Sequence, residues 1–74
     1  HSIEIKEYFS VCNNQISSIF LKNFDIEIQY IRRPNMLENI EPRPDIIISA
    51  GDILVIIGTQ ENLNLFEKYT INGE

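Results

Sequence analysis

The sequence has one cysteine, Cys12, one histidine, His1, and only six basic residues against eleven acidic ones. A single cysteine excludes an internal disulfide and suits a reducing compartment. Without a cationic or histidine neighbour in sequence, Cys12 reads as a partly buried free thiol. A lone histidine at the first position excludes a histidine triad and a histidine-rich metal site. No glycine-rich loop opens a helix to hold phosphates. With no catalytic set assembled, the chain is expected not to be an enzyme. The formal charge of −5 argues against a surface that tracks a DNA or RNA backbone. It leaves room for one small anionic ligand held by a local basic pair. No apolar run approaches the roughly 20 residues needed to cross a bilayer, and no signal-peptide pattern is present. Internal repeats, heptads and low-complexity tracts are also missing. The sequence opens "HSIEIKEY" without an initiator methionine. It is therefore expected to be a piece of a longer protein, with one domain over residues 3–71.

What is present is the patterning of a small folded unit. The 43% hydrophobic content is that of a globular chain. At 74 residues one core leaves little net stability, so pairing with a second copy or a neighbouring domain is expected. Ile3, Ile5, Phe9 and Val11 alternate as in a half-buried strand, with Glu7 breaking the row. Asn13 or Asn14 can cap a following helix, whose apolar stripe is Ile16, Ile19, Phe20 and Phe24. In "DIEIQYIRR", Ile26, Ile28 and Tyr30 share one face of a second strand, and Glu27, Gln29 and Ile31 take the other. Pro34 ends that strand, and Pro42 and Pro44 leave space for a brief one near residues 37–41.

"IIIS" and "DILVIIG" read as the two strands of a hairpin turning at Ala50-Gly51, with Gly51 at positive φ and Asp52 satisfying donors inside the corner. Runs this apolar call for cover on both faces, a helix on one and a second subunit on the other. Thr59 caps a last helix, with Glu61 in its first turn, Leu63, Phe66 and Tyr69 on its buried side, Lys68 near its C-terminus, and residues 71–74 frayed. The expected fold is α+β: a small, mostly antiparallel sheet with two helices in the order β-α-β-(β)-β-β-α.

Taken in order, Ile31-Arg32-Arg33, the proline loop Pro42 to Pro44, Ile46 to Ile48, Gly51-Asp52, the strand Ile53 to Gly58 and the helix with Leu63 and Phe66 resemble the TrkA-C, or RCK C-terminal, regulatory domain. The match covers residues 25–69 well and the first 24 less well. One departure is "NNQISS", which stands where the family has Gly-(Lys/Arg)-(Thr/Ser)-Leu. Asn13 tolerates the left-handed conformation that such a glycine would take. The resemblance implies a cytoplasmic domain on the inner face of the membrane, within a potassium or other cation transport system. It implies pairing into a homodimer through the sheet, contact with a membrane transport subunit and, in some members, binding of the nucleotide effector cyclic di-AMP in the groove between copies.

On that resemblance the candidate ligand residues are Ile28, Ile31, Arg32, Arg33, Asn35 and Pro42. An arginine at a strand end can fork onto phosphate oxygens, and a two-fold dimer presents each arginine twice to a symmetric ligand. Alternatively, Arg32 and Arg33 pair with Asp52 or Glu27, or stay solvated. Ile28 and Ile31 wall a base pocket with Asn35 and Pro42, or else Ile28 is core and Ile31 packs at the dimer seam. Glu38, Glu41 and Asp45 form a solvated acidic loop, because the prolines leave few ways to wrap a cation. Two rival readings are a ligand-free assembly module of a membrane transporter and a small β-barrel or sandwich fragment sharing the Gly-Asp corner.

Overall fold

A computed structural model of the chain describes residues 1–19 and 21–73; Phe20, expected on the first helix, lies outside the described residues. Three strands form one antiparallel sheet: β1 (Ser2–Glu4), β2 (Glu27–Arg32) and β3 (Ile53–Ile57), in the order β1-β3-β2. One α-helix, α1 (Gln60–Asn72), follows β3. No helix among the described residues is long and apolar enough to cross a membrane.

The central strand β3 takes both neighbours from distant parts of the chain. Ile3 pairs with Leu54 on one side and Ile31 with Leu54 on the other, while Ile28 pairs with Ile56. These five side chains are buried in one cluster with Leu63 and Phe66 of α1. Phe24 closes the end of that cluster, its ring 5.7 Å edge-on from Phe66 and 5.0 Å from Tyr69.

A bulge in β2 overturns the expected sorting of its faces. The register slips between Ile28 and Tyr30, so that Gln29 is the additional residue. One inserted residue reverses the alternation beyond it, which brings Ile31 to the core face beside Ile28 and moves Tyr30 off it. Ile31 is fully buried as a result. The opposite face of the sheet carries Ile53 and Val55, half-buried, and Ile57, half-exposed.

The expected hairpin is not formed. Ile46–Ile48 pairs with the segment before Ser17: the Ile16 N–H donates to the Ile46 carbonyl at 2.9 Å, and the Ile48 N–H donates to the Asn14 carbonyl at 2.9 Å. Both edges of β3 are already taken by β1 and β2, so the preceding run needs another partner for its backbone groups. The corner itself is as expected. Gly51 has φ 92°, the Asp52 N–H returns to the Ser49 carbonyl at 3.1 Å, and the Asp52 carboxylate accepts from the Ser49 N–H at 2.9 Å.

The first helix is replaced by two 3-10 turns, Ile16–Ser18 and Leu21–Phe24. The backbone donors of Ile16 and Ser17 are directed sideways, to the carbonyls of Ile46 and Pro44. Ser17, Ser18 and β-branched Ile19 add little helix propensity to oppose that. The stripe is still used, since Ile16 and Ile19 are buried. The first strand is likewise shortened to three residues, followed by turns closed by Phe9 N–H to the Lys6 carbonyl and Cys12 N–H to the Phe9 carbonyl. Ile5 and Val11 remain in the core through those turns. The brief strand near residues 37–41 is a single bridge between Ile40 and Ile31.

Helix α1 begins as expected, Thr59 Oγ1 accepting from the Asn62 N–H at 3.2 Å. It runs further than expected, so Lys68 falls before the last turn, and residues 71–73 are tied down. The Ser10 N–H donates to the Ile71 carbonyl at 3.1 Å, and Gly73 caps the helix at φ 79°. Thr70, which no apolar pattern marks, is fully buried, its hydroxyl donating to the Glu67 carbonyl at 2.6 Å.

The Gly51 corner provides a test. A Cβ there would lie 3.2 Å from Pro34 Cγ, in a backbone conformation that L-residues resist. Gly51→Ala is expected to lower unfolding free energy by about 1–2 kcal/mol. An unchanged urea midpoint would show that the corner relaxes without strain.

Candidate functional site

The sequence places its only adjacent arginines, Arg32 and Arg33, at the end of β2. Neighbouring residues of an extended chain point to opposite sides, so the two cannot share one environment. Arg33 turns inward. Its Nε donates to Asp52 Oδ1 at 2.9 Å and one Nη donates to Oδ2 at 2.9 Å, the bidentate arrangement of guanidinium and carboxylate. The same Nη reaches the Ile47 carbonyl at 2.9 Å. The hydrogen bond to Asp52 holds the Arg33 pKa above its ordinary value, so its charge is permanent.

Asp52 is wholly buried, while the Arg33 side chain keeps 31% of its surface. All of this is supplied by local geometry. Pro34 stops β2, Gly51 passes under Pro34, and the turn from Ser49 aims the carboxylate inward. The Ile5 N–H donates to the Asp52 carbonyl at 2.7 Å, and the Gly51 N–H donates to the Ile5 carbonyl at 2.8 Å. Of the alternatives open in the sequence, Arg33 therefore takes the ion pair with Asp52.

Arg32 points the other way and is exposed; among the described residues it makes no ion pair. Asn35 lies three residues on, in a left-handed conformation of φ 69°, within a turn closed by the Met36 N–H and the Arg33 carbonyl at 3.2 Å. The chain then returns along β2, where Ile31 and Ile40 exchange hydrogen bonds of 3.0 and 2.8 Å, and reaches Pro42. Ile28 and Ile31 are enclosed in the core beneath this edge and offer almost no surface in the single chain. The structure thus brings Arg32 and Asn35 together at one end of the return loop and sets Pro42 toward the other.

A groove that sequence reading missed opens beside Pro42. It has a volume of about 520 Å³ and an apolar lining that includes Ile16, Ile19, Leu21, Pro42 and Pro44. Its two walls come from segments about 25 residues apart and meet through the Ser17 N–H donating to the Pro44 carbonyl at 3.0 Å. No local signal announces such a meeting. Asn13 does take the left-handed conformation foreseen for it, at φ 69°, its N–H donating to the Ile48 carbonyl at 2.6 Å. Glu38, Glu41 and Asp45 are exposed, and no group of three potential metal ligands occurs among the described residues.

Comparison with known proteins places this geometry in a family. The TrkA-C domain model matches residues 1–70. No curated protein matches the chain by sequence. Among solved structures, the chain is similar to the RCK C domain of the potassium transport protein KtrA in complex with cyclic diadenosine monophosphate: 31% identity, 92% of this chain and 78% of that chain covered, TM-score 0.78. An RCK domain solved with cda is 26% identical over 95% of this chain and 94% of that one, TM-score 0.76. The RCK_C domain dimer of S. agalactiae BusR, in complex with c-di-AMP, shares the fold at 18% identity, with 95% and 92% covered and a TM-score of 0.80.

Removing the Arg33 side chain strands the buried Asp52 carboxylate. Arg33→Ala is expected to cost about 2–4 kcal/mol, the lower part of the range for a broken buried pair because Arg33 is partly solvated. Arg32→Ala is expected to change stability by no more than about 0.5 kcal/mol. Chemical denaturation of the two variants checks both values, and equal losses would remove the distinction between the arginines.

Proposed function

The chain belongs to the TrkA-C domain family, and from that premise we propose that it is the regulatory domain of a potassium or other cation transport protein, dimerising and binding a small nucleotide effector such as cyclic di-AMP. Residues 3–71 act as one unit of a longer protein, on the cytoplasmic face of the membrane beside the transport subunit. The role is regulatory rather than catalytic. Relatives of the same fold carry cyclic di-AMP, and the KtrA domain among them belongs to a potassium transport protein.

The observation that carries the reading is the division of labour between the arginines. Arg33 is consumed by Asp52, whereas Arg32 stands uncommitted at the strand end beside Asn35. In a chain with net charge −5, an exposed guanidinium next to an amide is a local anion site within an otherwise repelling surface. Two copies related by a two-fold axis present two such guanidinia, matching the two phosphates of a symmetric cyclic dinucleotide. Pro42 supplies apolar surface for a base, and Ile28 and Ile31 back the edge from inside the fold. Arg33 positions the end of β2 without touching the ligand.

Transmission follows from linkage. A ligand spanning two copies stabilises one relative orientation, and it shifts the attached transporter only by the difference in its affinity for the two arrangements.

Calorimetric titration with cyclic di-AMP is expected to give one ligand per two chains. Arg32→Ala is expected to weaken binding about 10- to 100-fold, the range for losing a charge-assisted hydrogen bond, at an unchanged melting temperature. Full affinity in Arg32→Ala would remove Arg32 from the site. No binding by the wild-type chain would leave a ligand-free assembly module as the function.

A further inference from the structure

The turn after β2 ends in an apolar tip that the single chain leaves in water. Leu37 is wholly exposed and Met36 is 52% exposed, although four of the chain's other large apolar residues, Ile5, Ile31, Ile48 and Phe66, are completely enclosed. The same chain carries the empty apolar groove formed by Ile16, Ile19, Leu21, Pro42 and Pro44. The tip does not fill the groove of its own chain. The Ile31–Ile40 bridge sends residues 33–37 past the end of β2, whereas Pro42 to Pro44 continue from that bridge in the opposite direction. One chain therefore displays a protruding apolar side chain and a receptive apolar groove that cannot meet within it.

We propose that the occupant of the groove is the Met36–Leu37 tip of a second copy of this chain, exchanged reciprocally across a two-fold axis. The inference rests on the dimeric reading above and names its contact. Two different patches that fit each other propagate into filaments unless the exchange is mutual; a two-fold axis closes it after two copies and buries both tips. Burial of Leu and Met side chains on both sides supplies the non-directional attraction such a seam requires. The turn that aims the tip is itself built, with Asn35 at φ 69° and the Met36 N–H held by the Arg33 carbonyl, whose guanidinium is locked to Asp52.

The exchange also completes the ligand edge. Asn35 and Pro42 sit at opposite ends of the return loop within one chain, and seating the tip brings Asn35 of one copy beside Pro42 of the other. A small ligand at this seam then touches both copies at once.

Sedimentation equilibrium on the wild-type chain, Leu37→Asp and Leu65→Asp tests the inference. Leu65 is a half-exposed leucine on α1, outside the seam. Leu37→Asp is expected to weaken dimerisation about tenfold or more, as for a central apolar anchor, and Leu65→Asp to leave it unchanged. Pro44→Arg, which fills the groove, should also weaken it. An equal mixture of Leu37→Asp and Pro44→Arg chains retains one intact tip and groove, and is expected to associate more tightly than either variant alone. Wild-type dimers that survive Leu37→Asp overturn the tip exchange and leave dimerisation standing. A monomeric wild-type chain overturns dimerisation, and the exchange with it. Loss of cyclic di-AMP binding in Pro44→Arg while Leu37→Asp still dimerises would assign the groove to the ligand instead.

Discussion

The bidentate pair between Arg33 and Asp52 joins three parts of the chain that have no other reason to stay together: the end of β2, the corner before β3, and the Ile47 carbonyl. A buried carboxylate without such a partner is costly, so the corner can close only where the guanidinium already waits. The corner in turn sets the register of β3, because Ile5 exchanges hydrogen bonds with Gly51 and Asp52 just ahead of the Ile3–Leu54 pair. A shift of one residue there would turn Leu54 and Ile56 out of the core. The pair is thus less a source of net stability than a constraint that selects one arrangement of the sheet.

The same constraint shapes the surface. Committing Arg33 leaves Arg32 as the exposed cation at the strand end, and holding Pro34 against Gly51 fixes where the following turn begins. Asn35, Met36 and Leu37 project from a base that is rigid for structural reasons. A regulatory edge gains from this, because a ligand or a second copy meets groups that need little further ordering. Stability and recognition use adjacent residues of opposite orientation.

Much of the molecule was legible in the residue pattern. The resemblance carried by the basic strand end, the proline loop, the Gly-Asp corner and the capped helix leads to the TrkA-C family that the family model confirms. Thr59, Gly51 and Asp52 act locally, through caps and turns that depend only on near neighbours, and all three do as their chemistry dictates. Core membership was readable for Ile3, Ile5, Val11, Ile16 and Ile19 even where the conformation was not, since burial follows apolarity whether the chain is a strand, a 3-10 turn or a loop. The candidate ligand residues were drawn onto one strand and its return loop, but the sequence left open which arginine faced inward. That choice depends on a carboxylate 19 residues away.

Apolar spacing, turn chemistry and charge balance, each a property of a few consecutive residues, determined by themselves that this is a small α+β domain with a capped terminal helix, a glycine corner and no nucleic-acid-tracking surface. Tertiary structure alone decided that Ile46–Ile48 pairs with the segment before Ser17, that Gln29 bulges and carries Ile31 into the core, and that a groove opens beside Pro42. Each of these is settled by competition among distant segments for the same backbone donors and the same core volume. Strand β3 could accept only two neighbours, and once β1 and β2 had taken its edges, every other apolar run had to find its place around them.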